Sequence, residues 1–300
     1  MASQKIAHAH SRLYPLGMFV STMGKPFLGV QSRQFCRSIL NHFMSKYDEN
    51  NLNQSAIVFS PHPDDETLGC GGTIIKKIRA GAEVKIVFMT YGQKSHQHII
   101  SENKLKAMRT KEALAASKKL GVEEAVVFLA FEDGELSKNQ NSAVHKVIKI
   151  LSSQQPHEIF IPYYKEPLLW STDHLATNRI VLAALQAYGR KAVIYEYPIW
   201  FWYHWPWMSM PIHNIRRLLA YLMNSPVSLL SLLRDFRCSI FVGDVLELKR
   251  AALDQYASQM KRIIPDTRWL TLSDISNGEF LECFFQIHEV FRRYIFPTRS

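Results

Sequence analysis

The sequence of 300 residues contains only four cysteines, and no two of them form a CxxC pair. They lie far apart, at Cys36, Cys70, Cys238 and Cys283. A disulfide framework and a cysteine-rich zinc site are both disfavoured, because each needs cysteines at closely paired spacings. Scattered free cysteines are typical of a reducing compartment, so we expect a cytoplasmic protein.

Long apolar runs are also missing. The apolar stretch near the start of the chain is interrupted by Pro15 and Gly17, and no convincing cleavage site follows, so we expect no secretory signal. No run reaches the length of about 20 residues that a membrane-spanning helix needs. With 47% hydrophobic and 21% charged residues, the composition is that of a globular protein.

Acidic residues are absent from two segments of a chain whose formal charge is +10. Residues 1–47 contain six Lys or Arg residues, and residues 197–234 contain Arg216, Arg217 and Arg234. Such segments attract nucleic acid or an anionic membrane. Since no helix-turn-helix, zinc-finger or other nucleic-acid motif accompanies them, we expect no nucleic-acid partner and a peripheral contact with a membrane or anionic glycolipid. The alternative is a basic surface without a partner.

Apolar, β-branched runs alternate with helical patterns through the middle of the chain. Strands are predicted over residues 56–59, 84–90, 125–130, 158–162, 192–197 and 239–242. Helices are predicted over residues 67–79, 102–120, 143–151, 175–188, 246–262 and 280–294. This alternation predicts an α/β fold with a Rossmann-like, mostly parallel sheet and helices on both faces.

Residues 198–237 interrupt this rhythm, because four of the six tryptophans crowd there beside a stripe of leucines and arginines. The pattern predicts an aromatic-rich helical insertion that either lies at a membrane interface or packs as a hairpin on the domain. We expect the domain to span residues 53–300, with this insertion, and to follow a basic N-terminal extension of residues 1–52.

The segment 60–66, Ser-Pro-His-Pro-Asp-Asp-Glu, directly follows the first predicted strand. It places His62, Asp64, Asp65 and Glu66 at the carboxyl end of that strand, where open α/β sheets bind their ligands. An imidazole and a carboxylate three residues further on can bind zinc, which leaves a second carboxylate to act on a water. The alternative is an acidic turn without a ligand, since Pro and Asp are ordinary turn residues.

A zinc hydrolase usually needs a third protein ligand. The best candidate is His174, which lies after the strand predicted at 158–162, at the start of a helix, and so faces the same edge of the sheet as His62. His96 and His98 follow the second strand and could assist from the same edge. We interpret the remaining histidines as structural or surface residues.

Together these residues resemble the PIG-L/LmbE family of zinc-dependent N-deacetylases. The resemblance rests on Pro-His-Pro-Asp-Asp-Glu at 61–66, Gly-Cys-Gly-Gly at 69–72 and Asp-His at 173–174. Weaker matches at 109–113, 120–121, 133–134 and 249–259 extend it over residues 53–262 in the expected order.

The resemblance implies that His62, Asp65 and His174 bind Zn²⁺ and that Asp64 is the general base for the attacking water. The implied reaction removes an N-acetyl group from an N-acetylated amino sugar, a sugar lipid or another glycoconjugate. We therefore expect a zinc-dependent hydrolase that acts on a linear amide.

The resemblance also implies that Arg109 and Asp133 contact the sugar and that Glu66 supports the loop. In the family pattern a histidine three residues before the third ligand polarises the carbonyl or protonates the leaving amine. This chain has Ser171 there, with Asp173 retained beside the ligand. Zinc binding should survive this replacement, whereas the loss of one acid/base group could cost about 10²–10⁴-fold in rate.

Two other functions stay open. Ser171 motivates the first, a zinc-containing protein that binds glycans or glycolipids but has lost the chemistry. The second is an adenosylmethionine-dependent methyltransferase, because the glycines at 69–72 superficially match its glycine-rich turn. We interpret these glycines instead as a tight strand-to-helix turn that allows close packing.

Overall fold

Eight strands form one sheet in the computed structural model, which describes residues 35, 37–38, 43–167, 172–203, 207–208 and 230–297. The strands are β1 (Ser45–Lys46), β2 (Ala56–Ser60), β3 (Val84–Thr90), β4 (Val126–Phe131), β5 (Glu158–Pro162), β6 (Ala192–Tyr197), β7 (Cys238–Phe241) and β8 (His288–Phe296). Across the sheet their order is β1-β7-β8-β6-β5-β2-β3-β4. Only β8 runs antiparallel to its neighbours, so the predicted mostly parallel α/β sheet is confirmed.

Helices cover both faces of the sheet, as the alternating pattern predicts. They are α1 (Asp65–Arg79), α2 (Glu102–Leu120), α3 (Gln140–Gln154), α4 (Asp173–Tyr188), α5 (Leu246–Leu253), α6 (Ala257–Met260) and α7 (Glu279–Glu282). Apolar residues of α1, α2 and α5 share one core with Val58, and those of α3 and α4 share a second core with Ile57. Because adjacent residues of β2 point to opposite faces, the two cores lie on opposite sides of the sheet.

The helix predicted over residues 280–294 is wrong. After the short helix α7, the chain forms strand β8, which lies between β6 and β7. Glu289 and Phe291 are buried, whereas the residues beside them are less so, and this alternation is the period of a strand. The helix predicted over 246–262 is interrupted, and Tyr256, at the break between α5 and α6, is fully buried.

The glycines at 69–72 lie inside α1, so their interpretation as a strand-to-helix turn is wrong. The expected close packing is nevertheless present. A Cβ at Gly69 would collide with the ring of Tyr197, and a Cβ at Gly72 would lie 2.6 Å from Val242. Their missing side chains therefore let α1 approach its neighbours closely. Helical glycines also do not form the strand-following loop that the methyltransferase alternative requires.

A buried ion pair between Lys249 and Glu289 contacts α1. Lys249 Nζ lies 2.7 Å from Glu289 Oε1 and also donates to the carbonyl oxygens of Leu68 and Phe284. The Glu289 carboxylate accepts hydrogen bonds from the backbone N–H groups of Gly72 and Thr73, each at 2.8 Å. The pair thus joins α5 and β8 to the helix whose first turn contains the acidic cluster.

The insertion predicted at 198–237 lies largely outside the described residues. Where the structure describes it, Trp202 and Trp207 pack against each other in the main core. The division into residues 1–52 and 53–300 stays a prediction, although β1 already pairs with β7. Among the helices that the structure describes, none is both long enough and apolar enough to span a bilayer.

Removing one partner of the buried ion pair should destabilise the fold strongly. We expect Lys249→Met and Glu289→Gln each to lower the free energy of unfolding by about 3–5 kcal/mol, because each leaves an uncompensated buried group. The double variant should lose less than the sum of the two. Urea unfolding measures all three, with Lys76→Met as the control, since its partner Glu49 is 69% exposed. Single variants within about 1 kcal/mol of wild type, the range of surface pairs, would contradict the assignment.

Candidate metal centre

The sheet changes its direction of growth at β2, since β3 and β4 lie on one side of it and β5 and β6 on the other. The loops that leave the carboxyl ends of β2 and β5 therefore diverge and form a crevice, where parallel α/β sheets bind ligands. His62 and Asp64 lie in the first loop, Asp65 begins α1, and His174 lies in the first turn of α4. Asp133 follows β4 at the same edge of the sheet.

The three predicted ligands lie close together. His62 Nδ1 is 3.3 Å from Asp65 Oδ2, and His174 Nε2 is 3.4 Å from the same oxygen. Bonds of about 2.0–2.1 Å in tetrahedral geometry separate two zinc ligands by roughly 3.4 Å, so these distances suit zinc. Neither ring nitrogen of the buried His174 has a hydrogen-bond partner in the described part of the chain. Because such burial is costly, the donor set fits a bound cation.

The neighbouring groups of this cluster shift one another's pKa. Burial raises the pKa of Asp65, but His174 and His62 outweigh it and lower the pKa below its ordinary value. Burial lowers the pKa of His174 to about 4, so its ring is neutral at pH 7. An ionised carboxylate and a neutral imidazole are the protonation states that bind a divalent cation.

Asp64 has a strained backbone. Its φ is 116° and its ψ is −32°, a conformation that costs an L-residue about 1–3 kcal/mol. The Asp64 N–H donates to Glu66 Oε2 at 3.1 Å, and its carbonyl oxygen accepts from Leu68 N–H at 2.9 Å, which holds this conformation. Burial and then the charge of Asp65 raise the pKa of Asp64 well above its usual value. A carboxyl group with a raised pKa is suited to hold a proton.

Glu66 stabilises the loop that contains His62 and Asp64. Its carboxylate accepts hydrogen bonds from Thr67 Oγ1 at 2.5 Å and Tyr256 OH at 2.6 Å, besides Asp64 N–H. Ser60 lies at the end of β2, and its hydroxyl donates to the carbonyl oxygen of His62 at 2.6 Å. Tyr256 was not identified from the sequence, because nothing in the local pattern connects residue 256 with residue 66.

Two further carboxylates face the other nitrogen of the His62 ring. His62 Nε2 lies 3.3 Å from Asp133 Oδ1 and 3.4 Å from Asp173 Oδ2. Asp173 also accepts the N–H groups of Gly134 and Leu136, at 2.7 and 3.2 Å. Burial opposes ionisation of His62, but Asp133, Asp173 and Asp65 together raise its pKa well above the usual value.

Arg109 reaches the same edge from α2. It is 1% exposed, and its Nη2 donates to Ser95 Oγ at 3.1 Å. Gly92 has a φ of +62°, and a Cβ there would collide with Arg109 Nη1. Only glycine therefore leaves room for the guanidinium at this position. Arg109 Nε has no hydrogen-bond partner among the described residues. A buried cation with an unused donor is able to bind a polar ligand.

His96 does not take the place of the histidine that the family pattern has at position 171. Its ring nitrogens lie 2.7 Å from Ser95 Oγ and 3.0 Å from the carbonyl oxygen of Leu270, and its ring stacks on Trp269. Burial lowers the pKa of His96 to about 4. His98 is exposed, and Ser171 lies outside the described residues. The role of His96 here is to hold residues 269–270 against the loop after β3.

A buried glutamate in the loop after β5 was also missed from the sequence. Glu166 accepts the N–H groups of Ile199, Trp200 and Phe201 at 2.8, 2.5 and 3.2 Å, and so fixes the start of the aromatic segment. The Trp200 ring centroid then lies 6.5 Å from that of His174. A lone acid before a proline gives no sequence signal for this contact.

Comparison with known proteins gives a match to one family model over part of the chain. Residues 57–185 match the model described as PIG-L: GlcNAc-PI de-N-acetylase. The chain is 25% identical over 154 residues to a 1D-myo-inositol 2-acetamido-2-deoxy-alpha-D-glucopyranoside deacetylase of Rhodococcus opacus, covering 43% of this chain and 52% of that protein. It is 22% identical over 222 residues to the diacetylchitobiose deacetylase of Thermococcus kodakarensis, covering 72% of each chain. The match to the Rhodococcus protein thus spans about half of that relative's length.

Solved structures share the fold. The N,N'-diacetylchitobiose deacetylase of Pyrococcus horikoshii superposes with a TM-score of 0.58 at 22% identity, over 91% of this chain and 94% of that one. The A40926 pseudoaglycone deacetylase Dbv21 gives a TM-score of 0.54 at 14% identity, over 83% and 99% of the two chains. At these identities the likeness establishes the architecture.

Removal of His174 should abolish tight metal binding, because one of three ligands is lost and a buried site rarely recruits another. We expect wild-type protein to bind one equivalent of Zn²⁺ and His174→Ala to bind it at least 100-fold more weakly, in a competition titration with a chromophoric chelator. The control is His98→Ala, which removes an exposed imidazole at the same edge of the sheet. Equal affinity of the two variants would contradict the assignment.

Proposed function

We propose that the chain is a zinc-dependent N-deacetylase of N-acetylated amino sugars, which the match of residues 57–185 to the PIG-L family model supports. The observation that carries the proposal is the cluster of His62, Asp65 and His174 at the crevice of the sheet, with Asp64 as the residue directly before Asp65. The sugar specificity is supported by the relatives, whose names describe removal of acetyl groups from glucosamine derivatives.

In this proposal His62, Asp65 and His174 hold the zinc. When bound there, the ion supplies Lewis acidity that polarises an amide carbonyl and lowers the pKa of a water. Asp64 takes the proton from the attacking water. Its strained backbone and the hydrogen bond from its N–H to Glu66 fix the backbone of Asp64 next to the ligand Asp65, so little reorganisation is needed when the proton moves.

We assign the sugar contact to Arg109. Its guanidinium is buried at the crevice edge and has an unused Nε–H donor in the described part of the chain, which suits the hydroxyl groups of a sugar or the phosphate of a sugar lipid. Gly92 supports this assignment, because a side chain there would displace the guanidinium.

Loss of the base should stop the reaction but leave the metal. We expect Asp64→Asn to lower acetate release from N-acetylglucosamine derivatives by about 10²–10⁴-fold, since an amide cannot accept the proton. Zinc stoichiometry should stay at wild-type level, because Asp64 is not among the proposed ligands. Glu132→Gln, at an exposed acid near the same edge, is the control. Unchanged turnover in Asp64→Asn would refute the mechanism.

A second candidate is a zinc-containing protein that binds glycans or glycolipids without cleaving them. The observation in its favour is that both ring nitrogens of His96 are engaged, so this imidazole does not replace the acid/base group missing at position 171. Zinc and sugar affinity with no acetate release over long incubation would favour this function over deacetylation.

The finer part of the proposal is a cytoplasmic enzyme that touches an anionic membrane through its basic extension, residues 1–52, and the insertion at 198–237 of the domain 53–300. Phe43, in the extension, and Leu230, in the insertion, are 56% and 68% exposed. Exposed apolar side chains beside basic residues are typical of peripheral membrane surfaces.

The membrane contact predicts co-sedimentation with vesicles containing phosphatidylserine and none with neutral phosphatidylcholine vesicles. Arg216→Glu/Arg217→Glu should weaken the binding several-fold, because the attraction is electrostatic. The matched variant is Lys118→Glu/Lys119→Glu, which changes two exposed charges on α2 and should leave vesicle binding unchanged. Equal sedimentation of both double variants would contradict the proposed membrane contact of the insertion.

A further inference from the structure

His62 faces two sets of metal-binding groups, one on each ring nitrogen. Its Nδ1 lies against Asp65, which is also close to His174, and its Nε2 lies against Asp133 and Asp173. By composition, either His62, Asp65 and His174 or His62, Asp133 and Asp173 could hold a cation. The separations are 3.3 and 3.4 Å in both sets, so distance alone does not decide between them.

The hydrogen bonds of the two sets differ. His174 has two buried ring nitrogens without a partner in the described residues, and a bound cation would satisfy one of them. Asp65 Oδ2 also accepts a backbone donor, His62 N–H at 3.1 Å, so the unpartnered nitrogens of His174 and not the carboxylates distinguish the two sets. In the other set both carboxylates accept backbone N–H groups as well. Asp133 Oδ2 accepts Lys94 N–H at 2.8 Å, and Asp173 accepts Gly134 N–H at 2.7 Å through the oxygen that faces His62.

We propose that Asp133 and Asp173 orient the metal ligand His62 by hydrogen bonding and do not bind a second metal. Together they accept the Nε2–H of His62, which fixes the ring and leaves Nδ1 as the ligand atom. Asp133 is thus a positioning residue for His62, a role that differs from the sugar contact implied by the family resemblance. This inference rests on the proposed zinc site, and it adds the residues that orient its first ligand.

The geometry explains why a carboxylate is needed at position 133. One of its oxygens faces His62 Nε2 and the other accepts Lys94 N–H, so two donors converge on one side chain. An asparagine has a single acceptor oxygen, and whichever donor meets its amide nitrogen loses its partner. A carboxylate behind a metal-bound imidazole also raises the basicity of the ligand, and loss of such a partner typically costs 10- to 100-fold in metal affinity.

The test is the zinc affinity of full-length Asp133→Asn, measured by chelator competition, together with KM and kcat for acetate release. We expect one zinc per chain, an affinity about 10- to 100-fold below wild type, and little change of KM at saturating zinc. Glu132→Gln is the matched control, because it removes the neighbouring acid, which is 48% exposed and pairs with Lys94 Nζ. Arg109→Lys is the contrasting variant and should raise KM without affecting zinc affinity.

The protonation of His62 provides a second measurement that needs no variant. In zinc-loaded wild-type protein, the ring ¹⁵N shifts of His62 should show a protonated Nε2 and a metal-bound Nδ1. Two zinc ions per chain, a metal-bound Nε2, or a raised KM with unchanged zinc affinity in Asp133→Asn would each overturn the inference. Zinc affinity is measured without turnover, so a chain that binds zinc as expected but releases no acetate would contradict the proposed function alone.

Discussion

Four buried carboxylates and two imidazoles meet at the carboxyl ends of β2 and β5, where little water is available to balance their charge. Asp64, Asp65, Asp133 and Asp173 are at most 7% exposed. Carboxylates packed this closely repel one another, so the cluster persists only if protons, backbone donors or a cation compensate it. The backbone N–H groups of Lys94, Gly134 and Leu136 compensate Asp133 and Asp173. The ring nitrogens of His174, which have no hydrogen-bond partner among the described residues, mark the place that remains for a cation.

Much of the surrounding fold can be understood as support for this cluster. The first turn of α1 must hold Asp65 and Glu66, and the glycines that follow let Tyr197 and Val242 pack against that helix. The pair of Lys249 and Glu289 joins the same helix to α5 and β8. Because these contacts come from segments distant in sequence, the crevice depends on the whole sheet.

Periodicity and strand-end position were enough to predict the sheet, the two helical layers and the crevice edge. His62, Asp65 and His174 were found because their side chains follow parallel strands that end at one edge. The prediction of a helix at 280–294 was wrong, since the half-buried strand β8 mixes apolar and charged residues much as an amphipathic helix does. Three contacts were missed: those made by Tyr256, by Glu166 and between Asp133 and His62. Each joins residues that are distant in sequence, and a single sequence does not show which distant loops lie next to each other.

The central claim is that one metal ion is held by His62 Nδ1, Asp65 and His174 Nε2. Anomalous diffraction at the zinc absorption edge, from crystals of the full chain grown with zinc, tests it most directly. The account predicts a single peak about 2.0–2.1 Å from each of these two nitrogens and from an Asp65 oxygen. A peak among His62 Nε2, Asp133 and Asp173, or no peak at the crevice in zinc-saturated protein, would contradict it.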